Sequence, residues 1–154
     1  MQGTRGRRCA FLSLILLDTN VVSALMQTNP DRHVIAWLDQ QPIDEVWLPS
    51  VVVFELRYGL SSLEPGARRR RLEQALDQLL SSVLRERIAA LNGLAARRAA
   101  ELAGQRKRQG TPVDLRDTLI AGIALATQAT LVTRNVRHFL DLEVPVVNPF
   151  GVDS

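Results

Sequence analysis

The chain has 154 residues, enough for one domain around one hydrophobic core, and its 46% hydrophobic and 23% charged content is that of an ordinary globular protein. The single cysteine, Cys9, excludes an internal disulfide and a cysteine-based zinc cage, and fits a reducing cytoplasm. The net charge is +3, and among the 19 basic residues only Lys107 is a lysine. Arginine-rich, mild basicity is compatible with phosphate recognition without requiring it.

Arg5, Arg7 and Arg8 precede an apolar run from Ala10 to Leu17, a loose imitation of a signal peptide. The run is short, and Asp18-Thr19-Asn20 stands where a small-residue cleavage site belongs. The expectation is a basic tail over residues 1–13, a domain over 14–150 and a short tail over 151–154. Leu12 to Leu17 reads as a strand buried on both faces of a parallel sheet.

Val21 to Met26 predicts a short helix, and Pro30-Asp31 opens a second that runs to Gln40. Val46 to Leu48 is a brief strand, and Pro49-Ser50 starts a helix that Pro65-Gly66 ends. Arg68 to Leu84 predicts one long amphipathic helix with Leu72, Leu76, Leu79, Leu80 and Val83 on its apolar face. Its opening run Arg68 to Arg71 opposes the helix dipole and reads as a solvated face or as a phosphate or partner contact. Arg87 to Leu91 predicts a short strand, and Leu94 to Arg108 a helix ended by Gly110. Pro112 and Asp114 introduce a helix from Leu115 to Gln128. Thr130 to Thr133 is a strand, Val136 to Leu140 a turn or short helix, and Val144 to Val147 a last strand. This alternation predicts a three-layer α/β fold with a mainly parallel central sheet flanked by helices. No segment reaches the roughly 20 apolar residues of a membrane span.

Four polar positions stand out. Asp18 ends a buried strand, and Asn135 follows another within two residues. Glu55 lies in a helix that begins just after a strand, and Asp117 in the first turn of a helix. Sites on open parallel sheets form at the carboxyl ends of strands. Carboxylates gathered there repel one another unless a hard divalent cation relieves them. Such an ion polarises a phosphodiester and lowers the pKa of a bound water. Each residue also has a plainer reading. Asp18 could cap the helix from Val21, Asp117 could favour the positive end of its helix with Asp114 as cap, Glu55 could face solvent, and Asn135 could be a turn residue. Val51 to Phe54 and Leu56 make the segment around Glu55 hard to leave exposed. Of the histidines, His33 reads as a surface residue. His138 lies near the proposed site, in a structural or RNA-contacting place rather than as catalytic base.

Four passages in order resemble the PIN-domain family, specifically VapC-type toxins of its FitB-like branch. They are Ile15 to Val22, Ser50 to Gly59, Asp117 to Leu125 and Leu131 to Phe139, with Val147 to Phe150 as a matching tail. The resemblance implies a toxin of a type II toxin–antitoxin pair acting as a metal-dependent endoribonuclease on structured RNA, with tRNA as the substrate class. It implies Asp18, Glu55, Asp117 and Asn135 as the catalytic positions. On the same resemblance Asp18 and Asp117 are expected as the main ligands of Mg²⁺ or Mn²⁺, with Glu55 acting directly or through water. Asn135 stands where the family often has Asp, which implies weaker hold on a second ion. The resemblance further implies a homodimer, a VapB-type antitoxin, and operator DNA bound only through that antitoxin. Two rivals are a catalytically weak PIN module acting through an antitoxin complex on DNA, and a phosphatase or transferase on a doubly wound scaffold. The absence of a glycine-rich phosphate loop counts against the last.

Overall fold

The computed structural model describes residues 14–151. Residues 1–13 and 152–154, where the sequence places the tails and the start of the first strand, lie outside this range.

Among the described residues five strands form one sheet in which every pairing is parallel, in the order β3-β2-β1-β4-β5. They are β1 (Ile15–Leu17), β2 (Val46–Pro49), β3 (Ile88–Ala89), β4 (Thr130–Val132) and β5 (Val146–Val147). The helices flanking them are α1 (Thr19–Leu25), α2 (Arg32–Asp39), α3 (Ser50–Ser61), α4 (Ala67–Gln78), α5 (Gly93–Arg108) and α6 (Leu115–Thr127). The chain builds outward from β1 through β2 to β3, then returns to place β4 on the other side of β1. Strand order therefore reverses between β1 and β4, the point at which loops diverge and leave a crevice at the strands' carboxyl ends.

The central strands are apolar throughout because both faces are covered. Leu16, Leu48 and Leu131 are fully buried. Several helix starts carry a side-chain cap. Asp31 accepts from the backbone N–H groups of His33 and Val34, Asn92 from Ala95, and Asp114 from Asp117. Gln128 ends α6 in the left-handed conformation at φ 54°. Helices α5 and α6 lie unusually close. A Cβ on Gly122 would stand 2.4 Å from the Ala95 carbonyl oxygen, so only glycine permits this approach.

The segment predicted as one helix from Arg68 to Leu84 is interrupted. After Gln78 it widens into a π-turn over Leu79–Val83, in which the Leu84 N–H donates to the Leu79 carbonyl at 2.8 Å. The extra residue in that turn shifts the helical phase. Leu80 and Leu84 are buried, while Val83, expected on the apolar face, points out at 46% exposure. Arg69 at the head of α4 pairs with Glu73 and donates to the Leu63 carbonyl, while Arg68, Arg70 and Arg71 are exposed. Short 3₁₀ turns occupy Ile43–Glu45, which the sequence reading did not anticipate, and Val136–Phe139, where it expected a turn or short helix.

Candidate active site

The crevice is built from the end of β1. The Asp18 N–H donates to the Val132 carbonyl at 2.9 Å, extending the β1–β4 ladder one residue beyond Leu17. The chain then turns directly into α1. The Asp18 side chain is 5% exposed. Its Oδ1 accepts the Thr19 N–H at 2.7 Å and its Oδ2 accepts the Thr133 hydroxyl at 2.7 Å. The capping reading holds, with one oxygen starting α1, and the other oxygen faces the end of β4.

Glu55 comes from the middle of α3. Val52, Leu56 and Leu60 form the buried stripe of that helix, and Glu55 lies at its edge with its side chain 8% exposed. The solvent-facing reading fails for it. One carboxylate oxygen accepts the Thr19 hydroxyl, and the other is 2.5 Å from Arg116 Nε. Asp117 is carried in by the first turn of α6, which Asp114 fixes by accepting the Asp117 N–H at 2.9 Å. Its Oδ2 lies 2.8 Å from His138 Nδ1. Asn135 stands exposed at the start of the 3₁₀ turn after β4, its N–H donating to the Thr133 hydroxyl oxygen at 3.0 Å. The sheet thus brings Asp18, Glu55 and Asp117 into one electrostatic neighbourhood, with Asn135 on the adjoining loop.

Burial is the main reason the Asp18 carboxyl titrates above the ordinary aspartate range. Bonds from Thr133 and Thr19 oppose the shift, Asp117 adds to it, and Arg116 opposes it. Glu55 is raised for the same first reason. Thr19 and Arg116 counter the shift, and Asp18 and Asp117 reinforce it. Two acids raised by burial and mutual repulsion make the metal-free fold weaker as pH rises. The folded state holds these protons more tightly than the unfolded chain. Stability is therefore greatest below the unfolded carboxylate pKa and is lost as pH rises through the folded values. Asp141 runs the opposite way. Its bond to Arg106 lowers its pKa, so its contribution is lost on acidification. The expected result is a melting temperature in chelator that falls from mildly acid to neutral pH, with a flatter profile in Asp18→Asn. A wild-type profile rising across that window would contradict the assignment.

Several residues of the site were not anticipated. Thr133 is fully buried, and its hydroxyl links Asp18 to the Asn135 backbone. Asn20 accepts the Arg134 N–H at 3.1 Å, tying the loops after β1 and β4 together. Arg106 is 4% exposed and forks onto Asp141, with Nε and Nη2 each 2.8 Å from a carboxylate oxygen. It also donates to the His138 carbonyl at 3.0 Å. The available signal for it was an arginine on the stripe Ala95, Ala99, Leu102, Arg106, whose other members are apolar and buried.

The donor set suits a hard divalent cation in kind. Three carboxylates arrive from three elements, and a cation would relieve their burial and repulsion. As they stand, Glu55 and Asp117 are engaged by Arg116 and His138. Among the described residues no three His, Cys, Asp or Glu side chains form a ready cage. A groove of about 300 Å³ runs from Thr19 and Glu55 past Met26 and Leu60 to Leu72. A larger one, about 690 Å³, lies between α5 and the segment before β5 and holds none of the three carboxylates. The smaller groove meets the three carboxylates at Glu55 alone.

An acidic crevice at the strand ends of an open parallel sheet, with no phosphate loop, defines a class of α/β proteins built around clustered carboxylates. The PIN domain model matches residues 15–144, and the chain belongs to the PIN-domain family. It is 34% identical over 137 residues to the VapC ribonuclease Y4jK of Sinorhizobium fredii, covering 89% of this chain and 98% of that one. It is 32% identical over 137 residues to Toxin FitB of Neisseria gonorrhoeae, covering 89% and 99%. The solved structure of FitAB bound to an IR36 DNA fragment superposes with a TM-score of 0.81 at 30% identity, covering 92% of this chain and 99% of that one. Among the described residues no helix is long and apolar enough to cross a membrane.

Proposed function

We propose that this chain is the toxin of a toxin–antitoxin pair, a divalent-metal-dependent endoribonuclease that cuts structured RNA, with tRNA as the substrate class. The observation that carries it is the convergence of Asp18, Glu55 and Asp117 at the β1–β4 crevice, each held by a hydrogen bond from another element. Its relatives' names, a ribonuclease and a toxin, support the reading.

Asp18, Asp117 and Glu55 would hold the cation, Mg²⁺ in the cell with Mn²⁺ able to replace it. When bound, it supplies charge stabilisation at the phosphodiester and a more acidic water. The protein's own groups keep the carboxylates aimed. Thr133 fixes one Asp18 oxygen, Thr19 one Glu55 oxygen, and His138 one Asp117 oxygen. Asn135 offers an uncharged amide at the exposed mouth, suited to orienting water. The partners in this reading are a VapB-type antitoxin and a second copy of the chain, with operator DNA reached through the antitoxin. The setting is the cytoplasm, where tRNA is. The solved structure of FitAB bound to a DNA fragment supports the DNA part.

The test is sequencing of RNA 5′ ends after brief induction. Wild type should give discrete new ends in a few structured RNAs. Asp117→Ala should reduce them by about 10²-fold or more, the scale on which electrostatic stabilisation acts. Undiminished ends from Asp117→Ala would overturn the reading.

A further inference from the structure

The acidic site carries its own cation. Arg116 stands between Leu115 and Asp117 on the first turn of α6, and its side chain is 62% exposed. It nevertheless reaches inward to Glu55, whose side chain is 8% exposed, with Nε 2.5 Å from Oε2. Glu55 is its one ion-pair partner among the described residues. The other Glu55 oxygen is taken by the Thr19 hydroxyl, so the carboxylate is fully engaged by protein. Arg116 also acts on Asp18 across the crevice as an opposing positive charge.

This arrangement is unlike a structural ion pair. A structural arginine is itself buried, as Arg106 is at 4% exposure where it forks onto Asp141. Arg116 instead leaves most of its length in water and buries little beyond its contact with Glu55. Helix α6 is capped by Asp114 and does not require it. An arginine cannot discharge by losing its proton, so it is a permanent competitor for any cation approaching Glu55.

We propose that Arg116 is an internal counter-cation of the acidic site, holding Glu55 on its guanidinium and competing directly with a divalent metal for that carboxylate. The proposal rests on the reading of Asp18, Glu55 and Asp117 as the metal site. It explains why three carboxylates share a crevice while, among the described residues, no three acidic or histidine side chains form a ready cage: Glu55 is already neutralised within the chain. Loading the metal then requires Arg116 to swing outward, which its exposed position permits.

Calorimetric titration of Mn²⁺ into metal-free protein tests this without reference to activity. The forms compared are wild type, R116Q and R137Q. The last removes an exposed arginine that forms no ion pair with Glu55, and it measures the effect of net charge alone. R116Q should bind Mn²⁺ roughly ten-fold more tightly than wild type, the scale of one unit charge withdrawn from a partly shielded site. R137Q should stay within about two-fold of wild type, since a solvated charge paired with none of the three carboxylates is screened. Equal or weaker affinity in R116Q overturns the proposal while leaving the metal site intact, as does an equal gain in R137Q. Absence of Mn²⁺ binding in all three forms overturns the metal site itself, and the proposal with it.

Discussion

Replacing Asp18 by Asn should lower RNA cleavage by at least about 10³-fold while leaving the fold standing. Asp18 is the residue on which the crevice converges. It ends β1, starts α1, and meets β4 through Thr133. Asparagine can keep both bonds, with its carbonyl accepting the Thr19 N–H and its amide donating to the Thr133 oxygen. What it loses is the charge. An amide oxygen is a weaker ligand for a hard cation than a carboxylate. Burial also makes the ionised aspartate costly in the metal-free fold, so its removal should raise the melting temperature at neutral pH by a few degrees. A variant that is more stable yet inactive is the expected signature of a residue kept for chemistry. The check is cleavage of an RNA pool beside a thermal melt in chelator. Retained cleavage, or an unfolded Asp18→Asn, would contradict it.

The second large effect is on stability. Arg106→Met should cost about 3 kcal/mol, because it breaks a pair whose arginine is buried and removes the donor to the His138 carbonyl. The estimate sits at the low end of the usual range since Asp141 is 33% exposed and can recover water. Arg106 joins α5 to the segment after β4 and so sets where His138 meets Asp117. Cleavage should therefore fall about ten-fold even at temperatures where the variant is fully folded, as for other residues that orient ligands from behind. Arg106→Lys keeps the charge without the fork and should fall between the two. Urea unfolding at pH 7, with activity measured below the transition, reads both effects. A loss under 1 kcal/mol would show that the pair is not structural.

The sequence made the frame of this site legible because the frame is local. A buried apolar run ending at Asp18 announces a strand end, and Asp114 three residues before Asp117 announces a helix cap. The dense apolar residues around Glu55 already argued against leaving that helix in water. The hydroxyls of Thr19 and Thr133 were not legible, since their partners lie 36 and 115 residues away in the chain. Arg116 was hidden for the same reason: between Leu115 and Asp117 it reads as a solvated helix residue until α3 is packed against α6. The interruption at Leu79–Val83 was missed because a π-turn leaves the leucines of the helix in place and only shifts their phase. Leu72 and Leu76 fit one uninterrupted helix as well as the broken one, and only the exposure of Val83 separates them.

Asp18, Glu55 and Asp117 stand or fall together as one metal site. The most direct test is the anomalous signal of Mn²⁺ in crystals of metal-free protein soaked at millimolar concentration. One strong peak is expected about 2.2 Å from carboxylate oxygens of Asp18 and Asp117, close to the distance hard divalent cations keep from such ligands, with the Arg116 guanidinium withdrawn from Glu55. A crevice without a peak, or a peak held by other residues, would contradict it.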